Sequence, residues 1–206
     1  MLSFFTRHTP AVPKTLFVLY VLLFAALAIN PVDRGIWFAE NATVILILIP
    51  IVILYIKGFK FSNLSYVLMS VLLYLHTIGG HYTFALVPFD WFDQLIGSEK
   101  NNFNHVAHFT VGFYAFPIAE FLMRRSYISN KWTTALFGVF AVGTVAAVYE
   151  VIEWLSVLVF SAEDGMAFLG AQGDIWDAQK DMLADISGAV LASILFLLLA
   201  HRYGSR

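Results

Sequence analysis

The sequence predicts an all-α polytopic membrane protein, with six transmembrane helices in one bundle and both termini cytoplasmic. Three observations predict it. Of 206 residues, 60% are apolar and 13% are charged, about half the charge of an average soluble domain, and mean hydropathy is +0.77. The apolar residues gather into six runs of the order needed to cross a bilayer core of about 30 Å. Lysine and arginine are concentrated in every second segment between the runs. The composition excludes a disordered chain, a collagen-like repeat and, with no cysteine, a disulfide-stapled domain. Net charge is −2 with no basic block, so no nucleic acid partner is expected. No repeat, linker or low-complexity tract divides residues 1–206, which form a single membrane domain.

In chain order the runs are Thr15–Ile29, Ala42–Ile56, Leu64–Ile78, Val106–Met123, Thr133–Phe160 and Met182–Ala200. The first three are short and need flanking polar residues to complete a crossing. None alternates apolar with polar, as a barrel strand does. The first run, with Arg7 and Lys14 before it and Ala26-Leu27-Ala28 near its end, also has the form of a cleavable signal peptide. Its removal would leave five spans in the same orientation. Pro50 is expected to kink the second span and Pro117 the fourth. Nine basic residues (Arg7, Lys14, Lys57, Lys60, Arg124, Arg125, Lys131, Arg202 and Arg206) fall in the tails, the second loop and the fourth loop; three (Arg34, Lys100 and Lys180) fall in the alternate segments. Segments 79–104 and 161–181 therefore lie outside. Trp37, Trp91, Trp132 and Trp176 stand near span ends, as an interfacial belt requires.

The chemistry-bearing residues converge on the outer side. His76 lies near the outer end of the third span. His105 and His108, three apart, share a helix face at the start of the fourth. Glu150 and Glu153 stand three apart in the fifth. Asp174, Asp177, Asp181 and Asp185 open the sixth and lie within an arc of about 80°. Gly188 and Ala192 continue that face, and Gly143, Ala146 and Ala147 lead to Glu150, so the fifth and sixth spans are expected to pack along these small residues. Glu150, Glu153, Asp177, Asp181 and Asp185 cannot all stay ionised while close together and unpaired. Lys180, the one nearby cation, points about 100° away from Asp181. A bound cation or shared protons would resolve the conflict. The histidines favour a metal, because imidazole and carboxylate without thiolate suit zinc, manganese or iron. Calcium or magnesium would leave the imidazoles unused.

Plainer roles compete at several positions. His76 alone fits a buried histidine bonded to backbone. Asp174 and Asp177 fit helix capping, which weakens for Asp181 and fails for Asp185, two turns in. His81 reads as an interfacial loop residue, and His8 and His201 as cytoplasmic surface. Glu120 and Arg124 read as an i,i+4 ion pair at the cytoplasmic end.

Four segments carry a family resemblance: His76-Thr-Ile-Gly-Gly-His-Tyr-Thr83, Asn101-Asn-Phe-Asn-His-Val-Ala-His-Phe109, Tyr149-Glu-Val-Ile-Glu-Trp154, and residues 173–188 from Gly173-Asp-Ile-Trp-Asp177 to Asp185-Ile-Ser-Gly188. Over nearly its full length the chain resembles the YjdF-type family of bacterial inner membrane proteins, a family without an assigned function. The resemblance implies a multi-pass protein of the bacterial cytoplasmic membrane and brings no reaction with it. More distantly the chain is similar to VanZ-like membrane proteins. Asp177, Asp181, Asp185 and Gly188 keep that family's spacing, but His105 replaces its lysine, Glu153 its glutamine and Asp185 its asparagine. Each change adds a metal-ligand type or a negative charge.

Three functions fit these residues. The first is a membrane-embedded, metal-dependent enzyme, a hydrolase by analogy. His105, His108 and Asp181 would be its foremost ligands, with Asp185, Asp177 and His76 also candidates. Glu150 and Glu153 would be its catalytic carboxylates, with Glu153 as base. Its substrate would be a membrane lipid, a lipid-like molecule or an envelope precursor. The second is a proton- or ion-coupled transporter, which calls for polar residues in the cytoplasmic half and for an inverted repeat, neither evident here. The third is a non-catalytic accessory or stress-resistance protein with a structural ion site.

Overall fold

Three of the crossings begin at a side-chain cap (Asp33, Ser62 and Asn130), and such a cap sets a boundary that hydropathy alone misplaces. A computed structural model describes residues 6–159 and 174–203. Segment 160–173, which holds Phe160 and most of the second predicted outer segment, lies outside the described residues. Helix α1 (Ala11–Leu27) follows Pro10. Helix α2 (Arg34–Ile56) starts eight residues before the predicted Ala42, because the Asp33 carboxylate accepts the Ile36 amide at 2.8 Å. Asn41 then donates to the Trp37 carbonyl at 2.8 Å, which keeps this polar stretch helical. Helix α3 (Asn63–Tyr82) is capped by Ser62 and ends at Thr83, whose φ of 63° turns the chain. A short helix α4 (Asp90–Ile96) stops at Gly97, at φ 69°.

The fourth crossing is interrupted. Helix α5 (Phe103–Val111) tightens into a 3₁₀ turn at Gly112–Tyr114 before α6 (Ala115–Arg124). Pro117 lacks the amide that would bond the Phe113 carbonyl, and its ring crowds that carbonyl, so the ladder tightens one turn upstream of the proline. Pro50, by contrast, sits inside a continuous α2. Asn130 caps α7 (Lys131–Val159) by accepting the Trp132 and Thr133 amides at 2.9 and 3.1 Å. Helix α8 (Asp177–Leu199) completes the bundle. Every described regular element is helical.

Among the described residues, five stretches are long and apolar enough to cross a membrane: Arg34–Ile56, Asn63–Tyr82, Phe103–Arg124, Lys131–Leu155 and Asp177–Leu199. At 1.5 Å per residue, 23 residues reach roughly 35 Å. Helix α1 is apolar but shorter, with 17 residues. It is tied to α3 by Tyr74 donating to the Leu16 carbonyl at 2.7 Å and by His81 Nδ1, 2.7 Å from the Leu27 carbonyl. His81 is thus a last-turn residue of α3 that caps α1, not a loop residue. Trp91, Trp132 and Trp176 are exposed, as a belt requires, but Trp37 is buried against Phe24 and Phe38.

The core lies where α5, α6, α7 and α8 meet, around Ala115, Phe116, Ala119, Ala189, Ala192 and Phe196. Small residues decide which helices touch. Gly188 does not face α7 as its stripe suggested. A Cβ there would strike the Phe109 carbonyl and lie 3.2 Å from Gly112 Cα, so Gly188 lets α8 close on the fourth crossing. Gly138 of α7 presses against the Ala115 carbonyl. Gly143 does face α8, with Ile186 3.7 Å from where its Cβ would lie.

Candidate metal centre

The Gly112–Gly188 contact brings one turn after another of α5 and α8 into register. His105 Nδ1 stands 2.6 Å from Asp181 Oδ1. His108 Nε2 stands 3.5 Å from Asp181 Oδ2, and its Nδ1 stands 3.3 Å from Asp185 Oδ2. Asn104, on the same face of α5, donates to Asp181 Oδ2 at 2.8 Å. Asp181 and Asp185 are each 1% exposed. The Asp177, Asp181 and Asp185 spacing puts all three on one face of α8, and two carboxylates meet two imidazoles there.

Helix α7 adds Glu150 and Glu153, both buried. Two triads result, each able to offer one ligand atom per residue with all three atoms within 4.8 Å of one another. One is His105, Asp177 and Asp181; the other is His108, Glu150 and Asp181. Glu150 Oε1 and Asp185 Oδ1 are buried without a hydrogen-bond partner. Among the described residues no lysine or arginine pairs with Asp177, Asp181, Asp185 or Glu150. Lys180 turns away, as its helical angle requires, and bonds Asp174 at 2.5 Å with Lys100 at 3.6 Å. That hydrogen bond, with the Trp176 amide, holds the partly buried Asp174 carboxyl down at about 2. Asp174 is therefore satisfied apart from the cluster.

A cavity of about 170 Å³ adjoins the cluster, with Glu40, His76, His108, Tyr149, Glu153 and Asp185 in its wall. His76 does not join His105 and His108. It lines the same cavity, with Nε2 2.9 Å from Glu40 Oε2. Sequence reasoning missed Glu40, because a span begun at Ala42 leaves it in a loop, whereas the Asp33 cap would have drawn it into α2. It also missed Asn104, whose role depends on the register of two helices 77 positions apart.

The description "Predicted membrane protein (DUF2238)" matches residues 12–202. The chain belongs to the DUF2238 family of predicted membrane proteins. Inner membrane protein YjdF of Escherichia coli (strain K12) is 29% identical over 198 residues, covering 94% of this chain and 90% of that protein. No solved structure matches the chain. This DUF2238 protein is accordingly a multi-pass protein of the bacterial inner membrane, as the YjdF-type resemblance implied.

Proposed function

We propose that this DUF2238 protein is a metal-dependent membrane enzyme whose centre is built around Asp181 at the outer face of the bilayer. One observation carries the reading. Asp181, almost wholly buried, is set between two imidazoles beside a buried, unpartnered Glu150 oxygen, without lysine or arginine on these carboxylates. A divalent cation supplies the missing positive charge, and a nitrogen and oxygen donor set suits zinc, manganese or iron. His105, His108 and Asp181 are the principal ligands, with Glu150 and Asp177 beside them. Bound there, the ion would acidify a water, and Glu153 in the cavity wall would take its proton.

All six apolar helices cross in this reading, α1 included. The nine-to-three distribution of basic residues puts both termini in the cytoplasm and the centre on the periplasmic side. The substrate is a lipid-like molecule or envelope precursor that enters the cavity from the bilayer, past apolar wall residues such as Leu46, Ile47 and Val145. Transport is disfavoured because the buried face of α8 beyond Asp185 is Gly188, Ala189, Ala192, Ser193 and Phe196, a poor relay for protons or ions.

Elemental analysis of the purified protein, with His108→Ala and Asp181→Ala alongside, tests the centre. Wild type should retain zinc, manganese or iron and both variants should lose it. A wild-type protein that stays metal-free after metal supplementation would replace this reading with shared protons. A C-terminal reporter active only in the cytoplasm tests the orientation.

A further inference from the structure

We infer that the centre holds two divalent cations bridged by the Asp181 carboxylate. This rests on the metal-dependent reading above and goes beyond it in stoichiometry and in the role of each ligand.

The two triads share one residue and divide the rest. Asp181 directs Oδ1 toward His105 and Oδ2 toward His108, so its two oxygens serve opposite sides. His105 and Asp177 complete one side, and His108 and Glu150 complete the other. Each side therefore offers three protein ligands, one nitrogen and two oxygens, which leaves positions for water. A single ion could not collect both imidazoles, Asp177 and Glu150 at once, because they group into separate triads.

Charge and hydrogen bonding lead the same way. With Glu150, Glu153, Asp177, Asp181 and Asp185 ionised, one divalent ion leaves three negative charges and two leave one. The buried Glu150 Oε1 has no hydrogen-bond partner and belongs to the His108 triad. Asp185 then acts as a positioning residue. Its Oδ2 accepts His108 Nδ1–H, which leaves Nε2, the nitrogen nearer Asp181, free to bind an ion. The His105 side is the more exposed, since His105 and Asp177 are both only half-buried whereas Glu150 is buried. It is the side that should exchange its ion first.

Manganese(II) titration of the full-length protein in detergent, after chelator treatment, tests this by spin resonance. The expected result is two ions per chain with an exchange-coupled spectrum. Glu150→Gln and Asp177→Asn should each leave one uncoupled ion, and Asp181→Asn should abolish the coupling. One uncoupled ion per wild-type chain would overturn the bridged pair and leave the enzyme reading standing. No bound ion would overturn both. The wild-type stoichiometry decides the matter even if a variant fails to fold.

Discussion

Gly112 and Gly188 meet backbone to backbone, with Gly188 against the Phe109 carbonyl and no side chain between the two helices. His105 and Asp181 each lie seven residues before their glycine, and His108 and Asp185 lie one turn before. The glycine contact therefore sets the register that pairs imidazole with carboxylate. A Cβ at Gly188 meets backbone, which cannot rotate away, so Gly188→Ala must push α8 outward. It should destabilise the protein by about 1–3 kcal/mol. It should also weaken metal binding about 10-fold or more although no ligand changes. Thermal unfolding and metal titration of Gly188→Ala check both effects. Gly143→Ala, which meets only the flexible Ile186 side chain at 3.7 Å, should leave metal binding unchanged and, by replacing a mid-helix glycine, raise stability by about 0.5–1 kcal/mol.

The Glu40–His76 pair predicts a different pattern. Removing the imidazole leaves the buried Glu40 carboxyl without its polar neighbour, so His76→Ala should cost about 1–3 kcal/mol. Replacing both with leucine should recover most of that loss. Metal content should stay at the wild-type level in both variants, because His76 belongs to neither triad. Loss of the metal from a folded His76→Ala protein would put His76 among the ligands after all.

At the opposite end of the bundle Glu120 is wholly buried and fully occupied. It accepts from the Ser62 amide at 2.8 Å, from the Ser62 and Ser65 hydroxyls at 2.6 and 2.5 Å, and from Arg124 at 2.5 Å. The carboxylate thereby pins the start of α3 to the end of α6. Glu120→Ala strands several donors and should lower stability by about 3 kcal/mol or more, read as a fall in melting temperature, with metal content unchanged.

The N-terminal segment should respond to pH. His8 packs beside Tyr55 and Tyr66 with its Nδ1 3.2 Å from the Phe61 carbonyl, and burial holds its pKa below the usual 6.5. The docked segment thus binds its proton later than the free one as pH falls. Docking is complete above about 6.5, weakens as pH drops toward the lowered value, and then levels off. Amide exchange at Thr9, whose N–H bonds Asn63 at 2.7 Å, should speed up in acid beyond its intrinsic pH dependence. His8→Asn should abolish that excess.

Some of this was legible in residue order. Apolar runs mark helices that cross, because a bilayer admits few unsatisfied backbone groups. The i,i+3 and i,i+4 spacing of His105 with His108 and of Asp177, Asp181 and Asp185 fixes which side chains share a face. The angle of Lys180 already removed it from the cluster. Hydropathy misplaced the start of α2, because a cap and a turn of polar residues can prolong a helix beyond its apolar stretch, and Glu40 was lost with it. Glu120 read as an i,i+4 ion pair with Arg124, which the structure contains, but its serine partners were not legible because they lie at the start of another helix.

Sequence by itself determined that the chain crosses a membrane and that one end gathers acids and imidazoles on the faces of three helices. Only the tertiary structure decided which of them meet. Periodicity gives each side chain a direction around its own axis and says nothing of the neighbour in that direction. That neighbour is set by contacts such as Gly188 against Phe109, where the absence of a side chain lets two backbones close and places Asp181 between His105 and His108.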